Sequence, residues 1–268
     1  MGSRTLIMGI LNITPDSFAD GGLHYDVDKA VDAGLRMVEE GADILDLGGE
    51  STRPGADEVG AEEEMRRVLP VIERLARQTS TILSIDTYKS SVARQAVARG
   101  AAIINDISGL LYEPELANVA ADTGAALVLM HTRGRSKTMY QLAQYDDVVA
   151  DVRRELSEAI DRATSAGVAR DAIILDPGFG FAKRAEHSYA LLAALPELAT
   201  IGRPILSGPS RKSFLKEALG DRAPAEREWG TATAVAASVL HGAHIVRVHG
   251  VAHMADVIRV ADRLRMAG

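Results

Sequence analysis

The chain has 268 residues, 47% of them hydrophobic and 25% charged, which is enough for one large α/β domain with a full apolar core. Its formal net charge of −7 leaves no basic face that stands out, which argues against nucleic acid as a partner. It contains no cysteine, which excludes disulfides, a thiolate nucleophile and cysteine-ligated zinc. Because no apolar run is long enough for a signal peptide or a membrane span, we expect a cytoplasmic protein without a membrane partner.

Eight short apolar runs of strand length follow one another along the chain. They are continuously apolar rather than alternating, which is typical of parallel strands covered by helices on both faces. The predicted strands are Thr5–Leu11, Ile44–Leu47, Thr81–Ile85, Ala102–Asn105, Ala126–Met130, Ala172–Leu175, Pro204–Leu206 and His244–Val248.

Amphipathic stretches separate these runs, and several end at a glycine that predicts a helix C-cap, as at Gly41, Gly100, Gly124 and Gly167. The predicted helices are Val27–Glu40, Ala61–Gln78, Ser90–Arg99, Pro114–Thr123, Asp147–Ala166, Ala185–Ala194, Thr231–His241 and Ala252–Met266. Eight βα repeats predict a single-domain (β/α)8 TIM barrel over residues 1–268. The alternative, a doubly wound open sheet, would usually carry a glycine-rich fingerprint after its first strand, and this chain has none there.

Polar residues follow the predicted strands, whereas the helix-to-strand turns carry mostly glycine, alanine and ordinary surface charges. The carboxyl ends of the strands converge on one face of such a barrel, where catalytic groups lie, so this asymmetry predicts an enzyme. The polar residues at or beyond the strand ends include Asn12, Arg53, Asp86, Asn105, Asp176, Ser210, Lys212, Arg247 and His249.

The basic and hydroxyl side chains among them predict an anion site. Arg247 and His249 follow the eighth strand, and Ser210 and Lys212 follow the seventh, where these barrels often bind phosphate. Arg53 adds a guanidinium suited to bidentate phosphate contacts. We therefore expect a small anionic substrate, specifically a diphosphate ester. For Arg247, the alternative is a structural salt bridge.

The acceptor side chains Asp86, Asn105 and Asp176 predict a floor that binds the N–H edge of a nitrogen heterocycle. The alternatives are helix N-caps for the two aspartates and a satisfied turn for the asparagine. Zinc is disfavoured because no Glu-x-x-His or HExxH spacing occurs. A magnesium ion shared with the diphosphate is the better candidate, with Asn12 as one ligand.

These loops, in this order, resemble the dihydropteroate synthase family from the first strand to the last helix. The matching segments are Asn12-Ile13-Thr14-Pro15-Asp16-Ser17-Phe18, Gly48-Gly49-Glu50-Ser51-Thr52-Arg53-Pro54-Gly55, Ser84-Ile85-Asp86-Thr87, Asn105-Asp106, Asp176-Pro177-Gly178-Phe179-Gly180-Phe181, Ser210-Arg211-Lys212-Ser213 and Arg247-Val248-His249. The resemblance implies a transferase and sulfonamide target of folate biosynthesis, which joins 6-hydroxymethyl-7,8-dihydropterin diphosphate to 4-aminobenzoate. Homodimers are plausible for such barrels, although no interface is visible in the sequence.

The resemblance also implies a role for each site residue. Asp86, Asn105, Asp176 and Lys212 would bind the pterin, Asn12 would ligate Mg²⁺, Arg53, Arg247 and His249 would hold the diphosphate, and Phe18, Thr52, Pro54 and Ser210 would shape the aminobenzoate pocket. Asp86, Asp176, Lys212 and Arg247 would be the catalytic residues among these.

The chain departs from the family pattern at Ala182, where glycine is usual, and at Ser136 and Tyr140. The alternatives to a synthase are a methyltetrahydrofolate–corrinoid methyltransferase and a catalytically silent pterin-binding paralogue. The loops Ile13–Tyr25 and Ser51–Gly60 are long for βα connections, so we expect them to act as mobile lids.

Overall fold

The computed structural model describes residues 4–14, 23–51 and 57–267, with no side-chain description for residues 23–26. Four predicted substrate-binding residues lie outside these ranges: Phe18, Thr52, Arg53 and Pro54. Most of the two predicted lids also lies outside them, so the expectation that they move stays a prediction. Among the described residues, no helix combines the length and hydrophobicity that crossing a bilayer requires.

Eight parallel strands form the centre of the molecule, in the order β6-β5-β4-β3-β2-β1-β8-β7. A parallel bridge between Leu175 and Ile205 joins the two ends of this order, which confirms the predicted (β/α)8 barrel. The strands are β1 (Leu6–Asn12), β2 (Ile44–Gly48), β3 (Ile82–Asp86), β4 (Ala101–Asp106), β5 (Ala126–Met130), β6 (Ile173–Asp176), β7 (Leu206–Ser207) and β8 (Ile245–Val248).

Helices surround the barrel, and each of the eight predicted helices is present. They are α1 (Leu23–Glu39), α2 (Ala61–Gln78), α3 (Ser90–Val97), α4 (Leu116–Thr123), α5 (Val148–Ser165), α6 (Ala185–Ala193), α7 (Leu195–Ala199), α8 (Lys216–Leu219), α9 (Glu228–Leu240) and α10 (Val251–Ala267). Helices α7 and α8 were not predicted, because four or five residues are too few to show a helical period. The predicted C-caps are confirmed, since Gly41, Gly100, Gly124 and Gly167 all have positive φ.

The strands bury both faces, which is why their sequences are continuously apolar. On the outer face, residues such as Leu45, Leu175 and Val246 pack into one cluster with the helices. On the inner face, seven strands each contribute one residue to a separate apolar layer: Met8, Ile44, Ile103, Val128, Ile174, Leu206 and Ile245. Since side chains alternate along a strand, the residue two positions further on also faces inward. In four strands that residue is polar, and these four side chains begin the site described next.

Candidate active site

Three acceptor side chains come together at the carboxyl ends of β3, β4 and β6. Asp86, Asn105 and Asp176 are 9%, 3% and 5% exposed, and Asp86 is the register partner of Asn105 on the neighbouring strand. A Cβ added at Gly208 would lie 3.9 Å from the Asp176 Oδ2 atom and 3.9 Å from the Arg247 Cβ atom. The acceptor floor and the basic side chain therefore share one space at the mouth of the barrel.

The alternative roles proposed for these acceptors are wrong. Asp176 does not cap a helix, because its Oδ1 atom accepts a 2.7 Å hydrogen bond from the Gly178 backbone in a tight turn, and α6 begins only at Ala185. Asp86 accepts from Arg247, and the N-cap of α3 is Lys89. Asn105 points into the barrel instead of closing a turn. Asp86 and Asn105 are held at the mouth by partners distant in sequence, whereas Asp176 is held by the local turn at Gly178.

Arg247 is held by two carboxylates. Its Nε atom donates to Asp46 Oδ2 over 2.6 Å, and its Nη2 atom donates to Asp86 Oδ2 over 2.6 Å. The structural salt bridge considered for this residue therefore exists. A guanidinium has five N–H groups, however, and these bonds use two of them. Since the side chain is 19% exposed, its remaining donors can serve a ligand at the mouth.

Asp46 is a site residue that the sequence reasoning missed. It is completely buried between Leu45 and Leu47, and its Oδ2 atom accepts from Asn105 Nδ2 over 2.9 Å as well as from Arg247. Because a carboxylate can only accept, Asp46 must pair with the NH2 group of the Asn105 amide. The carbonyl oxygen of Asn105 therefore points away from Asp46. The sequence did contain a signal for Asp46: it is the one charged residue of the predicted strand Ile44–Leu47, and a buried carboxylate needs a partner.

Lys212 lies against the loop that follows β6. Its Nζ atom donates to the Phe179 backbone oxygen over 2.7 Å and lies 4.4 Å from the centroid of the Phe181 ring. A Cβ added at Gly180, where φ is +75°, would lie 3.7 Å from Lys212 Cδ. The loops after β6 and β7 therefore pack together, which places the predicted pterin-binding lysine beside Asp176.

Ser210 and His249 also meet, as predicted. The Ser210 Oγ atom lies 3.0 Å from His249 Nδ1 and accepts a 3.2 Å hydrogen bond from the His249 backbone N–H. The next residue, Arg211, has φ of +59°, and its backbone oxygen accepts from the buried Arg227 over 2.8 Å. This contact fixes the shape of the loop that carries Ser210 and Lys212.

Burial and charge shift the pKa values of the central groups. Burial raises the pKa of Asp86 to about 7, against the effect of Arg247 and with a contribution from Asp46. Burial also raises the pKa of Asp176 and lowers that of Lys212 to about 8. Burial would lower the pKa of Arg247, but the two carboxylates outweigh it and raise that pKa. Arg247 therefore stays positively charged, whereas burial disfavours the charged forms of Asp86, Asp176 and Lys212.

The described residues contain no group of three or more histidine, cysteine, aspartate or glutamate side chains that could hold a metal ion. An oxygen pair nevertheless borders Gly48. A Cβ added there would lie 3.7 Å from Asn12 Oδ1 and 3.6 Å from Asp86 Oδ2. Asp86 Oδ2 already accepts from Arg247, so Asn12 Oδ1 is the oxygen of this pair that is not bonded to the arginine.

Comparisons with known proteins agree with this geometry. Residues 8–249 match the family described as pterin binding enzymes. The dihydropteroate synthase of Synechocystis sp. is 48% identical over 263 residues, which cover 98% of this chain and 91% of that protein. A Xanthomonas albilineans dihydropteroate synthase with 4-aminobenzoic acid has a TM-score of 0.91 at 47% identity, covering 98% of this chain and 93% of that one. A Yersinia pestis dihydropteroate synthase in a sulfonamide drug complex has a TM-score of 0.92 at 43% identity, covering 98% and 95%.

The similarity therefore spans nearly the whole chain, and it includes the strands and loops that carry the site. The chain belongs to the pterin-binding enzyme family and, within it, to the transferases known as dihydropteroate synthases.

Proposed function

We propose that this chain joins 6-hydroxymethyl-7,8-dihydropterin diphosphate to 4-aminobenzoate and releases diphosphate, in folate biosynthesis. The observation that supports this most directly is the buried acceptor floor of Asp86, Asn105 and Asp176 beside an oriented arginine. The methyltransferase alternative would need no diphosphate site, and the 48% identical relative is a synthase.

The floor is suited to a pterin because its oxygens face the mouth in fixed orientations. Asp176 uses Oδ1 for the Gly178 backbone, which leaves Oδ2 for a ligand N–H group. Asn105 gives its Nδ2 atom to Asp46, which leaves its carbonyl oxygen as an acceptor. A heterocycle with adjacent N–H donors would satisfy both, and an analogue without those donors would leave buried acceptors unpaired.

The basic side of the mouth would bind the diphosphate. Arg247, with the donors not used by Asp46 and Asp86, and His249 beside Ser210 supply cationic and polar contacts. Arg53 would add to them, but it lies outside the described residues. Asn12 would ligate a Mg²⁺ ion, whose charge would neutralise the diphosphate.

The proposed reaction breaks the bond between the pterin methylene carbon and the diphosphate oxygen, and both electrons leave with the diphosphate. The cation that forms is delocalised into the pterin, where the carboxylates of Asp86 and Asp176 stabilise it in a site with little water. The amine of 4-aminobenzoate then bonds to the methylene carbon and loses a proton to water or to the released diphosphate. Arg247 would hold the departing diphosphate. Because the amine is itself the nucleophile, no covalent enzyme intermediate is required.

The pocket for 4-aminobenzoate would include Ser210, together with Phe18, Thr52 and Pro54 from the undescribed loops. The related synthases with 4-aminobenzoic acid and with a sulfonamide drug support this assignment, and we propose that the chain is itself a sulfonamide target. Cytoplasmic location and a homodimer stay predictions from the sequence and its resemblance.

The direct test is formation of dihydropteroate by the purified protein from both substrates and Mg²⁺. We expect turnover that depends on both substrates and is lost when a chelator removes the metal. A folded protein that binds dihydropterin without making product would instead support the silent paralogue. Methyl transfer from methyltetrahydrofolate to a corrinoid would support the other alternative.

A further inference from the structure

One lysine near the floor has no part in the reaction described above. Lys183 is only 1% exposed, which is rare for lysine, and its Nζ atom has three acceptors. These are His131 Nδ1 at 2.7 Å, the His131 backbone oxygen at 3.2 Å and the Phe181 backbone oxygen at 3.0 Å. These three contacts fix the position of the Lys183 Nζ atom, while burial lowers the pKa of Lys183 well below its usual value.

The histidine in this contact is itself fixed from the other side. His131 Nε2 lies 2.8 Å from Glu155 Oε2 on α5, and burial lowers the pKa of His131 to about 4, with the charge of Lys183 adding to the effect. The neutral ring therefore accepts from Lys183 at Nδ1 and donates to Glu155 at Nε2. Arg133 also pairs with Glu155, which ties this end of the network to α5.

The same network also contacts the loop after β6, which begins at Asp176. Arg133 lies 4.1 Å from the centroid of the Tyr145 ring, and the Tyr145 hydroxyl donates to the Ala182 backbone oxygen over 2.9 Å. Ala182 has φ of +48°, a left-handed conformation where the family usually has glycine, so this contact holds a residue that would favour another conformation.

The loop is pressed directly against the same histidine. The His131 N–H donates to the Asp176 backbone oxygen over 2.9 Å, and a Cβ added at Gly178 would lie 2.1 Å from the His131 backbone oxygen. That oxygen also accepts from Lys183. The Lys183 Nζ atom thus joins His131, directly after β5, to Phe181. The same loop segment carries the Phe179 oxygen and the Phe181 ring that contact Lys212.

We propose that Lys183 is a positioning residue for the pterin site, which holds in place the loop that carries Asp176 and contacts Lys212. The inference rests on the proposed function, since it assigns a further residue to the same site. Lys183 would not touch the substrate. Its effect would reach the pterin through Asp176 and the Phe179–Phe181 segment.

The experiment compares Lys183→Met, which removes the donors, with Lys183→Gln, which keeps two donors. Both should raise KM for the pterin diphosphate, by about 10- to 100-fold for the methionine variant, with KM for 4-aminobenzoate much less affected. The glutamine variant should recover part of the pterin affinity. Tyr145→Phe is the matched control, because it removes the contact to Ala182 in the same loop and leaves the three contacts of Lys183 in place.

A wild-type pterin KM in folded Lys183→Met would overturn the inference. If Lys183→Met does not fold, the glutamine variant and calorimetric titration with dihydropterin decide the question. A rise in the pterin KM of equal size in Tyr145→Phe would also refute it, because any loosening of the loop would then have the same effect as the loss of Lys183. Absence of dihydropteroate formation by the wild-type enzyme would instead reject the proposed function, so the two failures are distinguishable.

Discussion

In four strands of the barrel, an inward-facing isoleucine is followed two residues later by an inward-facing polar side chain. The pairs are Ile44 and Asp46, Ile103 and Asn105, Ile174 and Asp176, and Ile245 and Arg247. The lower layer removes apolar surface from water and stabilises the fold. The upper layer places charges and amides in the interior, which costs stability unless each is paired. On the same strands, the lower layer therefore stabilises the fold, and the upper layer supplies the side chains of the site. The predictions test whether these two roles are separate.

The largest expected effect is on the upper layer of β6. Asp176→Asn should reduce kcat/KM for the pterin diphosphate by up to about 10⁴-fold, because a donor would replace the acceptor that faces the substrate. The barrel should still fold, since an asparagine oxygen can accept from the Gly178 backbone. Steady-state kinetics and a melting curve test this. Asp171→Asn, an exposed change just before the same strand, is the control, and near-normal turnover in folded Asp176→Asn would remove the pterin assignment.

Arg247→Ala should weaken binding of the diphosphate substrate by about 2–5 kcal/mol, with a much smaller loss for free dihydropterin. It should also destabilise the fold by about 3–5 kcal/mol, because Asp46 and Asp86 lose their buried partner. Calorimetric titration with both ligands separates the two effects. Adding Asp46→Asn should recover stability but not anion affinity. Equal losses for the two ligands would show that Arg247 is only structural.

The lower layer should respond in the opposite way. Ile174→Ala removes a buried side chain from the apolar layer and should lower the free energy of unfolding by about 2–4 kcal/mol. Both KM values should stay at their wild-type levels at temperatures where the variant is folded. Denaturant unfolding and kinetics on one preparation check this. A large rise in the pterin KM without loss of stability would show that the two layers are not separate.

The order in which diphosphate and 4-aminobenzoate bind tests the predicted role of the loops Ile13–Tyr25 and Ser51–Gly60 as lids. From their length and composition we expect 4-aminobenzoate to bind at least about tenfold more tightly once Mg²⁺ and diphosphate are present, since the loops would close on the anion first. Calorimetric titration with and without diphosphate measures the difference. Equal affinity in both titrations would indicate a preformed pocket, and the transferase assignment would be unaffected.

The smallest effect concerns pH. Since burial raises the pKa of Asp86 to about 7, kcat/KM for the pterin diphosphate should rise as the pH increases through that value and the carboxylate ionises. The same shift binds a proton more tightly in the folded state, so its stabilising effect is lost as the pH rises from 3.8 to about 7. Asp86→Asn should abolish this limb in both measurements. A limb that survives the substitution belongs to another group.

The fold was more predictable from the sequence than the site. The strand positions were predictable because parallel strands buried on both faces produce apolar runs between C-cap glycines. Asp46 was not, because its importance depends on Arg247, which is 201 residues away in the chain. Lys183 directly follows Ala182, next to a segment that matches the family, but lysine is usually exposed, and only the folded loop shows that its amine is buried. Roles for residues in the undescribed loops stay predictions.

The most direct test of the account is a crystal structure of this enzyme with 7,8-dihydropteroate bound. We predict that the pterin lies at the barrel mouth, with N–H groups within hydrogen-bond distance of Asp176 Oδ2 and the Asn105 carbonyl oxygen, and that the benzoate extends toward Ser210. A pterin that binds elsewhere, or one that leaves Asp176 without a ligand contact, would contradict the assignment of the upper layer to substrate binding.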